Sequence, residues 1–211
     1  MHADSVITGL AARLRAETSL LHRQAEHTGL MPQLLKGKLP MPAYCRLLRN
    51  LHALYSALET GLAHHASDPS VAPIHLPELA RTMAIESDLQ ALHGHGWERD
   101  IELTPGAADY VRHLQQLTLE RPALLAAHSY VRHLGDLHGG QVLGRVVSSM
   151  PGTSDGTGTS FYAFAGDVAV LIRRYRAGLD ALPQDDESVA ALVAEACSGF
   201  ARHITLFDEL A

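Results

Sequence analysis

The sequence predicts an all-α protein, a single-domain helical bundle over residues 1–211. Apolar residues recur at steps of three, four and seven along most of the chain, which is the pattern of amphipathic helices. No sustained alternation of apolar and polar residues, the pattern of a half-buried strand, interrupts it. Apolar residues make up 46% of the chain, enough for one sizeable core. The stripe of the first helix consists of Ile7, Leu10, Leu14, Leu21 and Ala25.

Capping and breaking residues predict where each helix begins and ends. Proline suits the first turn of a helix because its missing N–H is not needed there, and glycine commonly ends a helix. On these signals Pro42 begins the second helix, Gly94 ends the third and Thr104 caps the fourth. The composition of 67–73 indicates a loop, and 151–158 is the clearest flexible stretch. The predicted helices cover about residues 6–28, 42–65, 77–93, 105–121, 122–150, 161–182 and 186–210.

Charge and cysteine content exclude several classes of protein. The chain has 17 Lys and Arg against 23 Asp and Glu, a net charge of −6, whereas nucleic-acid-binding domains normally carry a basic surplus. Cys45 and Cys197 lie far apart and outside any Cys-x-x-Cys pattern, which excludes a cysteine-built zinc or iron–sulfur site. No segment reaches the roughly 18 consecutive apolar residues of a membrane span. We therefore expect a cytoplasmic protein with no nucleic-acid partner and no membrane anchor.

The most informative part of the sequence is residues 128–144, called here the glycine-rich segment. Each glycine inside a helix costs about 1 kcal/mol relative to alanine, so several together need a reason. One interpretation is close packing between helices, where small residues let two backbones touch. The other is a flat ligand that lies against the backbone, since Gly135 and Gly139 are one turn apart and would leave a bare strip.

Asp136 lies one residue round the helix from that strip, and Arg132 precedes it by one turn. One interpretation is a surface ion pair, worth only a few tenths of a kcal/mol. In the other, Asp136 holds an ordered water near the ligand, because a carboxylate can accept a hydrogen bond from a water that supplies protons. The spacing alone favours the surface pair.

The first helix carries a second candidate site. Arg15, Thr18, His22 and Glu26 share one face, and the Glu26 carboxylate could accept a hydrogen bond from the His22 imidazole. This is the arrangement that orients a metal-binding histidine. Arg15 lies about 10 Å along the axis from His22, an offset that suits the anionic edge of a planar ligand. Among the 14 histidines, His22 has the best geometry for a metal ligand.

The sequence Tyr-Val-Arg-His-Leu-Gly-Asp-Leu-His-Gly-Gly-Gln-Val-Leu at 130–143 closely resembles the signature helix of the haem oxygenase family. The stretch 21–31 is similar to the proximal-histidine segment of that family. Similarity continues in the right order at 54–59, 97–98, 110–111, 175–176 and 204–210. The resemblance implies a fold that clamps haem between a proximal first helix and a kinked, glycine-rich distal helix. It also implies cleavage of haem to biliverdin, carbon monoxide and ferrous iron, with dioxygen and with electrons from a ferredoxin- or flavoprotein-type reductase.

The resemblance further implies roles for individual residues, with haem as substrate and cofactor together. His22 would be the axial ligand of the iron, and Glu26 would be its hydrogen-bond partner. Gly135 and Gly139 would let the distal backbone approach bound dioxygen. Asp136 would hold the water network that delivers protons. The remaining implied roles are support of that network, by Tyr55 and Arg132, and binding of the haem propionates, by Arg15, Tyr130 and Arg176.

Two positions depart from the family pattern. Ile172 stands where the family has a basic propionate-binding residue, and the neighbouring Arg173 could substitute for it. His138 stands where the signature usually has a serine, at the edge of the bare strip. Its imidazole would either hydrogen-bond a water or a propionate, or reach the haem iron from the distal side.

Two other functions agree with part of the sequence. A haem-binding protein without turnover, for storage or sensing, would keep His22 and the propionate arginines but would not need Asp136. A helical interaction module without a cofactor would leave the glycine-rich segment and the Arg15–His22–Glu26 face unexplained. Asp136 beside a full glycine strip therefore favours an enzyme.

Overall fold

The protein is described by a computed structural model that covers residues 9–153 and 156–211. These residues are mainly helical and contain no strand, so the predicted all-α fold is confirmed. Ile7 and the predicted helix start at residues 6–8 lie outside the described residues. The α-helices are α1 (Leu10–Glu26), α2 (Met31–Leu35), α3 (Met41–His64), α4 (Thr82–Leu92), α5 (Trp97–Asp100), α6 (Pro105–Glu120), α7 (Leu125–Ser129), α8 (Gly135–His138), α9 (Gly140–Ser148), α10 (Val168–Asp180) and α11 (Asp186–Glu209).

Two sets of helix contacts form the bundle. Helix α11 packs along α1 and also contacts α6 and α7, while α3 packs against both α4 and α6. Four tyrosines are among the largest fully buried side chains, namely Tyr44, Tyr55, Tyr110 and Tyr175. The hydroxyl group of each one has a hydrogen-bond partner, which removes most of the cost of burying it. Buried tyrosines thus connect the core to the polar groups described below.

Local signals predicted several helix boundaries well. The second predicted helix, 42–65, is α3, and the last, 186–210, is α11. Thr104 caps α6 as expected, because its Oγ1 accepts a hydrogen bond from the Ala107 N–H at 3.2 Å. These boundaries agree because the capping atoms and the helix they cap are neighbours in the sequence.

The predicted helix at 77–93 is wrong over its first five residues. The chain forms only a 3₁₀ turn at Pro77–Leu79, and α4 begins at Thr82. The break is stabilised from α3, where the Glu59 carboxylate accepts hydrogen bonds from the backbone N–H groups of Arg81 and Thr82. A distant carboxylate therefore caps this helix, and no local residue signals it.

The predicted helix at 161–182 is also wrong at its start. Ser160–Tyr162 is a 3₁₀ turn, and α10 begins only after Asp167, whose side chain accepts hydrogen bonds from two N–H groups of its first turn. The backbone N–H groups of Ser160 and Phe161 donate to the Asp88 carboxylate at 2.8 Å. Phe161 is an apolar residue buried in the core from a 3₁₀ turn. Its spacing from the apolar residues of α10 therefore suggested a helix that does not begin there.

Helix α11 is long and apolar enough, by length and composition alone, to cross a membrane. The same test is passed by core helices of globular proteins. It contacts α1, α6 and α7, and several of its apolar residues are buried, among them Val189, Leu192 and Leu206. We therefore describe α11 as a core helix of the bundle.

Candidate functional site

The glycine-rich segment is interrupted rather than one regular helix. After α7 the chain makes a π-helical turn over Tyr130–Leu134, and α8 and α9 follow with Gly139 as a turn residue between them. The helix predicted for 122–150 is therefore present but irregular, and Gly139 itself keeps right-handed helical backbone angles, φ −79° and ψ −30°. Single π turns inside helices are frequent at functional sites.

The four glycines of this segment serve two different purposes. A Cβ atom on Gly144 would lie 3.0 Å from the Cβ atom of Tyr162, and one on Gly140 would lie 3.6 Å from that ring. A Cβ atom on Gly135 would meet no heavy atom of the described chain within 4 Å. On Gly139 it would meet only the carbonyl oxygen of Gly135, at 3.3 Å. Close packing against Tyr162 thus explains Gly144, and Gly140 faces the same ring at an ordinary contact distance. The bare strip is formed by Gly135 and Gly139.

The bare strip opens onto space at the surface of the bundle. Gly139 is exposed, and Val142, one turn further along the same face, exposes 49% of its area. This surface consists of the backbone at Gly135 and Gly139 and the aliphatic side chain of Val142. It carries no charge, and no side chain protrudes at Gly135. It can therefore receive the face of a flat, largely apolar ligand.

Next to the strip, Asp136 belongs to a buried group of three side chains. Arg132 Nη2 donates to Asp136 Oδ1 at 2.8 Å, and the Tyr55 hydroxyl donates to Asp136 Oδ2. Arg132 Nε also donates to the Tyr55 hydroxyl oxygen at 3.2 Å. The side chains of Arg132 and Asp136 are only 14% and 10% exposed, so the interpretation as a surface ion pair is wrong. Tyr55, on α3, reaches this group from a distant part of the sequence.

Burial dominates the electrostatics of this group. It raises the pKa of the Asp136 carboxyl well above its ordinary value, and it lowers the pKa of Arg132 to about 10. The hydrogen bonds from Arg132 and Tyr55 oppose the shift at Asp136, because they stabilise the ionised carboxylate. A carboxylate has about four lone-pair sites, and two are occupied here. The others can accept hydrogen bonds from water.

On α1, His22 and Glu26 are close but not hydrogen-bonded. His22 Nδ1 lies 3.8 Å from Glu26 Oε1, and the two side chains are 50% and 47% exposed. The predicted hydrogen bond is therefore absent from this structure, because both side chains extend into solvent. His22 contacts the ring edge of Phe200 with 5.7 Å between ring centroids. Within the described residues its Nε2 atom accepts and donates no hydrogen bond, so this nitrogen is available to a ligand.

Three of the residues expected at the haem propionates come together around Tyr130. The Tyr130 hydroxyl lies 3.2 Å from Thr18 Oγ1 and so joins the glycine-rich segment to α1. Burial raises the pKa of Tyr130, and the positive charges of Arg15 and Arg176 oppose that shift. The positive charges of Arg15, on α1, and Arg176, on α10, thus both act on this one hydroxyl.

His138 has protein partners at both ring nitrogens. Nδ1 lies 2.7 Å from the Leu134 carbonyl oxygen and Nε2 lies 3.2 Å from Arg176 Nη2. The tautomer that satisfies both contacts donates from Nδ1 and accepts at Nε2. One hypothesis gave His138 a water or a propionate as its partner, and the other gave it the haem iron. The two protein contacts explain its position without either of them. Ile172 packs against the core and Arg173 is exposed.

One buried network was missed from the sequence. Ser129 Oγ lies 3.0 Å from His133 Nδ1 and 2.6 Å from the Tyr175 hydroxyl, and the His133 ring lies against Tyr55. Burial lowers the pKa of His133 to about 3, so the imidazole is neutral. The spacing of Ser129 and His133, one helical turn, is the only signal that could have indicated it.

Comparison with known proteins gives one consistent result. A family model described as "Heme oxygenase" matches residues 8–209. "Heme oxygenase 1" of Nostoc sp. (strain PCC 7120) is 36% identical over 205 residues, which cover 96% of this chain and 86% of that protein. The structure of heme oxygenase-1 from Synechocystis sp. in complex with heme has a TM-score of 0.91 at 36% identity, covering 96% of this chain and 92% of that chain. The structure of heme oxygenase from Leptospira interrogans has a TM-score of 0.92 at 34% identity, covering 96% and 100%. The chain, which matches the family model over residues 8–209, therefore belongs to the haem oxygenase family.

Proposed function

We propose that this protein cleaves haem to biliverdin, carbon monoxide and ferrous iron, using dioxygen and electrons from an external reductase. The observation that carries the proposal is the position of a buried, hydrogen-bonded carboxylate, Asp136, directly beside the bare strip at Gly135. Family membership and a relative solved in complex with heme support haem as the ligand. The strip supplies room for a flat ring, and the carboxylate supplies a place for water next to it.

The residues of α1 and the glycine-rich segment fit a haem. His22 would offer its exposed imidazole nitrogen to the haem iron, and Glu26 would accept from Nδ1 after a small rotamer change. Gly135 and Gly139 have no side chain that would hold the ring away from the backbone. When bound, haem supplies the iron that takes up dioxygen and the ring that is oxidised.

The propionates would bind at the edge formed by Arg15, Tyr130 and Arg176. Guanidinium groups bind carboxylates through paired, charge-assisted hydrogen bonds, and the Tyr130 hydroxyl can donate a further one. His138 would keep Arg176 in place by accepting from its Nη2, as it does in the structure. These contacts set how the ring is turned on the strip.

Asp136 would position water rather than contact the reacting atoms itself. Arg132 and Tyr55 hold both oxygens of its carboxylate, so the orientation of the carboxylate is fixed. A water that donates to one of its remaining lone pairs is held in a fixed place and can pass a proton onward. Burial excludes bulk water and makes this arrangement more selective.

A haem-binding protein without turnover is the alternative function. Such a protein would also bind haem through His22 and through the residues proposed for the propionates. Burying the Asp136–Arg132 pair costs desolvation free energy that pure haem binding does not require. The presence of this pair beside the strip favours the enzyme.

The experiment compares the parent, His22→Ala and Asp136→Asn in haem titration and in aerobic turnover with a reductant, followed by identification of the bilin. His22→Ala should lose the parent Soret and ferrous–CO spectra, and added imidazole should restore much of them. Asp136→Asn should bind haem but yield little biliverdin, because a neutral amide cannot accept in the same way. His64→Ala, at the exposed end of α3, is the matched histidine control. Normal turnover by either site variant contradicts the role assigned to that residue, and haem binding without any biliverdin in the parent favours the alternative.

Electron supply and location belong to the same proposal. A ferredoxin- or flavoprotein-type reductase would deliver the electrons. Cys45 and Cys197 are both free thiols in the structure, which agrees with a reducing compartment and with the cytoplasm as the location. We take residues 1–211 as one haem oxygenase-like domain.

A further inference from the structure

Two histidines and one glutamate meet on three helices, outside the haem site proposed above. His113 lies on α6, His128 on α7 and Glu195 on α11. Glu195 Oε1 lies 2.6 Å from His113 Nε2 and 2.9 Å from His128 Nε2. The His128 side chain is fully buried, while Glu195 and His113 are 14% and 21% exposed. The cluster is therefore held by three helices and opens to solvent at His113 and Glu195.

We propose that His113 Nε2, His128 Nε2 and the Glu195 carboxylate bind one divalent transition-metal ion, with Zn²⁺ as the reference ion. Two imidazoles and a carboxylate are an established protein ligand set for zinc and for ferrous iron, with further positions left for water. The three donor atoms lie within 4.8 Å of one another. Around an ion bonded at about 2.0–2.1 Å, tetrahedral donors are roughly 3.3 Å apart. Small changes of side-chain rotamer would therefore bring the three donor atoms to the distances that an ion requires.

The groups around the cluster are arranged to orient its ligands. The Tyr110 hydroxyl lies 2.8 Å from His128 Nδ1. In the structure as it stands, His128 donates from Nε2 to Glu195 and accepts at Nδ1 from Tyr110. With an ion bound, the other neutral tautomer would donate from Nδ1 to the Tyr110 oxygen and give its Nε2 lone pair to the ion. A hydrogen-bond partner on the far ring nitrogen is the usual support of a metal-binding histidine.

The charges around the cluster partly oppose each other. The Glu195 carboxylate accepts hydrogen bonds from both imidazoles and is the acidic group of the cluster. The guanidinium carbon of Arg202 lies 5.8 Å from the centroid of the Tyr110 ring, so a positive charge near the cluster works against a cation. One carboxylate facing one nearby arginine predicts a moderate affinity rather than a very tight one.

An ion at this place would fasten α6 and α11 to the start of the glycine-rich segment. Any ligand that binds only the folded state raises its stability by mass action. At an ion concentration 100 times the Kd, the melting temperature of a chain of this size should rise by about 5–10 °C. A cluster that is only a hydrogen-bond network gives no such rise.

The test uses the full chain without haem, in Zn²⁺ titrations by calorimetry and by thermal unfolding. The parent should bind one Zn²⁺ with the melting-temperature rise given above. His113→Ala and Glu195→Gln should weaken that binding at least tenfold, so at the same ion concentration the rise should fall to about half or less. His93→Ala is the matched control, because His93 Nε2 lies 3.4 Å from Asp100 Oδ2 and so forms a surface pair without a third ligand. This control should behave as the parent.

A second variant keeps the proposal testable if either ligand variant folds poorly. His113→Cys replaces one ligand atom by a thiolate, so with Co²⁺ it should add a sulfur-to-metal charge-transfer band in the near ultraviolet that the parent lacks. A merely structural His113 would give no such band. The proposal is overturned if the parent shows no Zn²⁺-dependent rise, or if His113→Ala and Glu195→Gln bind Zn²⁺ as the parent does and His113→Cys gives no band.

Discussion

Replacing Gly135 by alanine should make the protein more stable and less active at the same time. Gly135 has helical backbone angles, φ −59° and ψ −48°, and an added Cβ would meet nothing within 4 Å in the described chain. Alanine is favoured over glycine inside a helix by about 0.5–1 kcal/mol. Since no contact opposes the substitution, Gly135→Ala should raise the melting temperature of the haem-free chain by about 1–4 °C.

Gly144→Ala is the matched variant in the same segment. Its added Cβ would lie 3.0 Å from the Cβ of Tyr162, a distance that forces the turn containing Tyr162 to move. Overpacking of this kind costs about 1–3 kcal/mol, which cancels or exceeds the gain in helix propensity. The melting temperature of Gly144→Ala should therefore be unchanged or lower by up to about 8 °C.

In activity the order of the two variants should be the reverse of their order in stability. The methyl group on Gly135 would project into the space proposed for haem, so Gly135→Ala should bind haem more weakly or give less biliverdin per bound haem. Gly144→Ala faces Tyr162 and should keep the parental yield per bound haem. Thermal unfolding without haem, haem titration and bilin yield measure these effects separately.

Two results would refute this reasoning. If Gly135→Ala lowers the melting temperature as much as Gly144→Ala does, the strip is not open. If Gly135→Ala is more stable and still gives the parental yield of biliverdin, haem does not lie on the strip.

Three further predictions concern other parts of the chain. Burial lowers the folded-state pKa values of His133 and His203 to about 3, against about 6.5 when unfolded. The unfolded chain therefore binds more protons between these pH values, and acidification through this window should lower the free energy of unfolding by up to about 1.4 kcal/mol per pH unit for each histidine. In urea unfolding, the free energy of unfolding of His203→Phe should depend less on pH than that of the parent. Equal slopes would contradict this prediction. Gly178→Ala would place a Cβ 2.1 Å from the Pro73 carbonyl oxygen, so we expect a loss of about 3 kcal/mol or more in chemical denaturation, and a variant as stable as the parent would show that this backbone contact is loose. Because both ring nitrogens of His138 already have partners, ferric electron paramagnetic resonance should show the same spin state in the haem-bound parent and His138→Ser; a low-spin parent signal that the variant lacks would identify His138 as a second iron ligand.

Part of the site could be predicted because its members are close in sequence. The four-residue spacing of Arg132 and Asp136 places them on one helix face, and the structure pairs them. The same spacing could not show that the pair is buried, since burial depends on Tyr55, which is 81 positions away from Asp136. The structure shows that the pair is buried, and we propose that this buried pair positions water beside the strip.

The glycines likewise separate what the sequence predicts from what only the tertiary structure decides. Their number in a helical segment is enough to demand either close packing or a ligand, but not to assign either one. The assignment requires Tyr162, which approaches Gly140 and Gly144 from a separate turn and leaves Gly135 uncovered. Glycine has no side chain, so its purpose depends entirely on what other parts of the chain bring to it.

The sequence by itself determined the helical class, the capped boundaries such as Thr104, and the residues of the signature segment. Periodicity and capping depend on neighbours within a turn or two, so they are readable without a fold. Only the tertiary structure decided where α4 begins and that residues 160–162 form a separate turn before α10, because Glu59 and Asp88 hold those backbones from other elements. It also decided that His113, His128 and Glu195 meet, since packing of three helices sets the distance between residues that the sequence separates.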